Sequence, residues 1–270
     1  TIIPVEGDNT NTANVYAAVT DQPFISITSP VQQSRIVPPL GPVALSLQIT
    51  NNSDISTAEG INIVDKASCP DLYVDPLSTC INASVPPFGD CNLRLTSPTP
   101  YAPCTITIKG INTVNSPTTL VAFSHLDGLV FQRNGTHGKV IVNATSEFTS
   151  EWTFTSRADI PGAMSDVDGL SNTEAIINNS ACTNQCAARI CRTMNSTWYL
   201  PAKNELQAAI FALCPGSTYP CAFGDFIFST YWSSTQWFAP TNAYSVDVPD
   251  GNFGPADKWS SKSVRCIRSF

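Results

Sequence analysis

Ten cysteines are the residues of this chain with the most evident chemistry. They fall into a set of four (Cys69, Cys80, Cys91, Cys104) and a set of six (Cys182, Cys186, Cys191, Cys214, Cys221, Cys266). Both sets are even, no two members are spaced as CxxC, and the only histidines are His125 and His137. That pattern suits disulfides formed in an oxidising compartment better than a structural zinc site. In the first set Cys69–Cys80 with Cys91–Cys104 is the simplest arrangement, although four cysteines allow three connectivities.

A second chemistry is aromatic. Between Gln236 and Ser261 stand Trp237, Phe238, Tyr244, Phe253 and Trp259, together with Asp250, among Gly, Pro and Asp residues. Loop aromatics with polar neighbours suit stacking on sugar faces or anchoring a protein interface. Trp237 and Phe253 sit beside turn residues and are expected to be exposed. A third candidate is acidic. Asp166-Val167-Asp168-Gly169 offers oxygen ligands for calcium, with Asp166 and Asp168 the metal candidates. Such a segment is more often a solvated turn, and Asp247, Asp250 and Asp257 are a weaker alternative. No Ser/His/Asp arrangement is evident and no carboxylate spacing favours hydrolysis, so recognition is expected rather than catalysis.

The rest of the composition fits that expectation. Of 270 residues, 42% are hydrophobic and only 13% charged, about half the usual charged share. Thr, Ser and Asn supply the polarity, as in exported β-rich proteins. The net charge of −7 divides unevenly, with four Lys/Arg against nine Asp/Glu before residue 125 and ten against twelve after it. No basic patch recommends nucleic acid, and a polyanionic glycan would gain little steering. No run of about 18 apolar residues occurs, so no membrane span is expected. Thr1 is not an initiator Met, which suggests a mature form whose export signal has been removed.

The elements that must position these residues change character near residue 124. Residues 1–20 show little periodicity and read as a flexible lead-in. Val43, Leu45, Leu47 and Ile49 then alternate with polar residues, as do Cys104, Ile106 and Ile108, the period of a half-buried strand. Further strands are expected around 24–28, 61–64 and 120–124, punctuated by Pro, Gly and Asn, and no helix is expected before residue 124. Beyond it, residues 129–131 and 139–142 flank Asn134-Gly135 as a hairpin. Two helical stretches follow. In the second, Leu206, Ala209, Ile210 and Leu213 form one apolar stripe.

The second half also carries a series of motifs in order: DGLVF (127–131), THGKV (136–140), NTEAI (172–176), AAR (187–189), WYLPAKNEL (198–206), YWSST (231–235) and VRCIR (264–268). This series resembles the C-terminal domain family of the Legionella collagen-like adhesin, which is related in fold to formylglycine-generating enzymes and other C-type-lectin-like proteins. The resemblance covers about 145 residues; the front half is similar only in a general way to immunoglobulin-like exported domains. Together they imply two domains, an all-β immunoglobulin-like sandwich over 21–124 and an α+β C-type-lectin-like domain over 125–270.

The resemblance carries further expectations. Family-style pairing joins Cys191 to Cys266, leaving Cys214 with Cys221 and Cys182 with Cys186. Long loops in the second half of such folds carry recognition, which is where the aromatic segment lies. The calcium-chelating EPN, QPD and WND tripeptides of sugar-binding C-type lectins are missing. Ala202 stands where the family usually has Ser or Thr, removing a helix-capping hydroxyl. YWSST reads as a buried aromatic strand followed by a polar turn, and VRCIR as a final strand with Arg265 and Arg268 on an exposed basic edge. An adhesin-like role implies a secreted or surface-exposed bacterial protein that recognises a host glycan or a host or matrix protein. The adhesin's own ligands are sulfated glycosaminoglycans, which this charge balance suits poorly. The alternatives are an enzyme of the formylglycine-generating type, which needs a reactive cysteine pair, and a structural surface or pilus component assembled by strand addition. Six Asn-x-Ser/Thr sequons (Asn51, Asn82, Asn134, Asn143, Asn178, Asn195) are expected to be unmodified in a bacterial source.

Overall fold

A computed structural model describes residues 2–5, 13–16, 21–38, 43–154, 158–182 and 185–270. Where a lead-in was expected, Ile2–Val5 pairs antiparallel with Ala13–Tyr16, and the remainder of 1–20 lies outside the described residues. The described chain is mostly β, and its three α-helices all follow residue 168.

The front half is built from alternation. Leu45, Leu47 and Ile49 turn inward from the Leu45–Asn51 strand, and Cys91, Leu93 and Leu95 do the same from Asp90–Thr96, its antiparallel neighbour. Ile25–Ser29 and Tyr73–Val74 complete this four-stranded sheet. Its inward residues share one buried cluster with Ile106, Ile108 and Val121 from the opposing strands Cys104–Lys109 and Thr118–His125. The disulfides here are the nested pair Cys69–Cys104 and Cys80–Cys91, not the expected Cys69–Cys80 with Cys91–Cys104. Cys91 and Cys104 start strands of different sheets, so they diverge. Cys80 is instead held beside Cys91 because Thr79 N–H donates to the Asn92 carbonyl at 2.9 Å.

The second sheet does not stop at the expected boundary. Its order runs Ile267–Ser269, His137–Val142, Gly128–Asn134, Thr118–His125, Cys104–Lys109, Asn62–Asp65, with Ile36–Val37 parallel to Thr118–His125. Leu126 and Asp127 form a two-residue turn with positive φ at both positions, which pairs His125 with Gly128. Gly128 is required there, since a Cβ would lie 2.6 Å from the Ile141 carbonyl oxygen. Partly buried side-chain contacts also cross the junction. Arg133 donates to the Pro100 carbonyl at 2.7 Å and lies over the Tyr101 ring.

The third sheet holds the aromatic segment, in the order Phe148–Ser150, Lys262–Val264, Thr230–Gln236, Asn242–Asp247, Phe253–Asp257. Packed beside the sheets are α1 (Gly169–Ile177), α2 (Ala187–Met194) and α3 (Lys203–Leu213), one helix more than the two stretches expected. The α3 stripe of Leu206, Ala209, Ile210 and Leu213 is fully buried, as its spacing predicts. Trp152 and Trp232 fill the centre, with their indole N–H groups donating to the carbonyls of Ser233 and Ser150. The Cys191–Cys266, Cys214–Cys221 and Cys182–Cys186 bridges form as expected.

Two motif readings are corrected. YWSST does not end in a turn: Ser233, Ser234 and Thr235 continue the Thr230–Gln236 strand and are buried, with the Ser233 and Thr235 hydroxyls donating to the Tyr244 and Ser165 carbonyls and that of Ser234 accepting from the Asn172 side-chain amide. VRCIR is not one strand with a basic edge. Lys262–Val264 and Ile267–Ser269 belong to different sheets, and the chain crosses between them at Arg265-Cys266. Arg265 is therefore wholly buried, against Glu147 at 2.6 Å and the carbonyls of Val142 and Asp225. No helix among the described residues is long and apolar enough to cross a membrane.

Candidate ligand-binding site

The aromatic segment folds into two turns and a hairpin at the edge of the third sheet. Trp237 N–H donates to the Asn242 carbonyl, and Asn242 N–H to that of Ala239, closing a tight turn that projects Phe238. Asn242–Asp247 and Phe253–Asp257 then pair antiparallel, joined by a turn at which Gly251 has φ +67°. The α3 side chains fix that turn. Gln207 donates to the Gly251 carbonyl at 2.8 Å, and Phe211 lies where a Cβ on Gly251 would have to go.

This framework assembles four of the predicted aromatics into a ladder. Ring centroids are 4.5 Å apart for Phe238 and Trp237, 4.6 Å for Trp237 and Tyr244, and 5.7 Å for Tyr244 and Phe253. The last two contacts are edge-to-face, the arrangement the ring quadrupoles favour. Phe238 is 76% exposed and Phe253 43%, while Trp237 and Tyr244 between them are half-buried. The ladder is thus wet at both ends and supported in the middle. By strand register Asn242, Tyr244, Phe253 and Asp257 share one face, and Asn242 donates to the Asp257 carboxylate at 3.2 Å.

Asp250 and Trp259 are not part of this grouping. Asp250 is exposed in the turn after Asp247, and Trp259 is 44% exposed in the turn that follows Asp257, with no ring contact to the ladder among the described residues.

Lys203 was missed from the sequence and is the ladder's cation. Its Nζ lies 4.2 Å from the Tyr244 centroid and 4.9 Å from that of Phe253, and 2.9 Å from the Asp166 carboxylate. The signal was present, because a lysine opening a helix opposes the helix dipole and needs a local anion. Asp166 is that anion. Asp168 has separate work as the α1 cap, accepting from Ser171 N–H and Oγ, and these bonds hold its carboxyl below the usual range. The two calcium candidates are thus engaged with different partners. No group of three or more His, Cys, Asp or Glu able to hold a metal occurs among the described residues.

Ala202 supplies no capping hydroxyl, yet three backbone N–H groups at the start of α3 find partners. Ala202 N–H donates to Glu205, Lys203 N–H to Thr235 Oγ1 and Asn204 N–H to the Asp166 carbonyl. The buried Thr235 hydroxyl thus satisfies one donor of the first turn from a neighbouring strand, where a local cap would have served Asn204 or Glu205. Beneath the ladder, buried Lys258 donates to Gln236, the residue before Trp237, at 2.6 Å and to the Ala158 carbonyl at 2.7 Å. It also lies over the Trp152 ring, and burial lowers its pKa to about 8.

A family model described as the Lcl C-terminal domain matches residues 130–268, just over half of the chain. The chain belongs to the Lcl C-terminal domain family. This is the family that the ordered motifs resemble, and its span contains the ladder, Lys203, Asp166 and all six cysteines of the second set. No curated protein matches the chain. Within the Lcl C-terminal domain the conspicuous motifs, WYLPAKNEL and YWSST, form the buried seat of the ladder, while the rings come from the segment that follows.

Proposed function

We propose that the chain is an exported bacterial attachment protein whose Lcl C-terminal domain, a C-type-lectin-like fold, binds a host glycan or a host or matrix protein without catalysing a reaction on it. The observation that carries this reading is the partly exposed ladder of Phe238, Trp237, Tyr244 and Phe253 flanked by Lys203. Large rigid rings beside a small number of fixed polar groups are what binding sites use to gain contact area at low entropic cost. Residues 21–124 act as an immunoglobulin-like spacer that presents it. Five disulfides suit an extracellular or surface location. They also leave no free cysteine for the thiol chemistry of a formylglycine-generating-type enzyme. Trp237→Ala and Phe253→Ala are expected to abolish binding on a glycan array and a panel of matrix proteins, with little change in the thermal midpoint. Retained binding by both folded variants would move the site elsewhere.

A further inference from the structure

The charge around the ladder narrows the ligand class. Lys203 is the cation nearest the rings, and Asp166 already neutralises it at 2.9 Å. Lys258 is buried beneath the turn, with its ammonium committed to Gln236 and the Ala158 carbonyl. The hairpin itself carries the exposed Asp250 in its turn and Asp257 at its far end, the latter on the face of Tyr244 and Phe253, while Asp247 points to the opposite face by register. The polar groups bordering the rings are therefore weighted towards carboxylate acceptors. Sulfate and carboxylate groups on a ligand are acceptors too. Brought among these carboxylates they would meet like charge, which physiological salt screens over ~8 Å. Hydroxyl groups would not, because each can donate to a carboxylate and accept from an ammonium.

Resting on the proposal that the ladder is the binding site, we infer that its ligand is an uncharged saccharide. The C–H faces of its sugar rings stack on Trp237, Phe238 and Phe253, and its hydroxyls donate to Asp257 and Asp166. Lys203 is buried and committed to Asp166 and the Tyr244 and Phe253 rings, so it holds the half-exposed Asp166 carboxylate in place rather than meeting the ligand itself. This site discriminates against polyanionic glycans through the carboxylates rather than through shape.

The test is calorimetric titration of the full chain with neutral gluco-, galacto-, manno- and N-acetylglucosamine oligosaccharides and with heparin, at low and at physiological salt. One or more neutral oligosaccharides should bind with an affinity that salt leaves unchanged, and heparin should not bind. Trp237→Ala and Phe253→Ala should each weaken the neutral ligand about tenfold or more, a change of about 1.4 kcal/mol or more. Phe238→Ala, at the most exposed ring, gives the same readout without risk to folding. Asp257→Lys should create salt-sensitive heparin binding. If wild type binds heparin more tightly than any neutral sugar, and Phe238→Ala removes it, the uncharged class is overturned while the ladder stands as the site. Failure of the folded chain to bind any neutral saccharide also overturns the inference. Neutral binding that all three ring variants leave untouched overturns the ladder reading beneath it.

Discussion

Lys258 lies under the turn that carries Trp237, in a site with no exposed surface, where its ammonium is matched by Gln236, the Ala158 carbonyl and the Trp152 ring. Desolvation nevertheless dominates and brings its pKa from 10.5 to about 8, with Asp159 acting weakly the other way. Between those values the unfolded chain holds a proton that the folded chain has released, so stability rises with pH across the window. The penalty for burying the charge is complete below about 8 and fades towards 10.5. Urea unfolding of wild type and Lys258→Met should therefore show wild type gaining on the variant as pH rises from 8 towards 10.5. A constant difference across that range would contradict the assignment. Arg265 is a second wholly buried cation. It is paired in the core with Glu147, which also accepts from Tyr231 OH, and burial, followed by that carboxylate, pushes the phenol above its usual pKa. Nothing in VRCIR distinguishes Arg265 from Arg268, because burial here follows from where the chain changes sheet and not from alternation.

At the scale of elements, α3 connects the family motifs to the site. Its first turn is capped from a neighbouring strand, and the same Thr235 hydroxyl that accepts from Lys203 N–H donates to the Ser165 carbonyl at 2.8 Å. Thr235→Val keeps the shape and removes both bonds, so it should cost about 1–2 kcal/mol in chemical denaturation. Ala202→Ser, which restores a local cap, should recover part of that loss. A neutral Thr235→Val would mean that the helix start is satisfied in another way. The strands with clean alternation, such as Leu45–Asn51 and Cys104–Lys109, were legible in the sequence, as was the apolar stripe of α3. So were the rings of the ladder, because their types and setting are local facts. What the sequence did not reveal depended on partners distant in the chain. Ser233, Ser234 and Thr235 look like a turn until their hydroxyls find the Tyr244 carbonyl, the Asn172 side-chain amide and the Ser165 carbonyl. Asp166 looks like a metal ligand until Lys203 is placed beside it. The front disulfides depend on which strands share a sheet, which spacing along the chain does not determine.

At the scale of the whole molecule, the hairpin at Leu126-Asp127 lets one sheet run from Asn62–Asp65 to the C-terminal strand Ile267–Ser269. Front strands and Lcl C-terminal domain are thereby joined by backbone hydrogen bonds, and the ladder lies on a separate sheet at the other side of α3. The five tryptophans are spread so that they report on these regions independently. Trp237 is in the ladder and Trp259 outside it, Trp152 and Trp232 are hydrogen-bonded in the core, and Trp198 packs under Arg268. The most direct test of the ladder as the binding site is therefore the tryptophan indole N–H spectrum of the intact, isotope-labelled chain during titration with the neutral oligosaccharides. The expected result is a saturable shift of the Trp237 resonance, with those of Trp152, Trp198, Trp232 and Trp259 unmoved. A saturable shift of Trp259 or of another indole, with Trp237 unmoved, would contradict it.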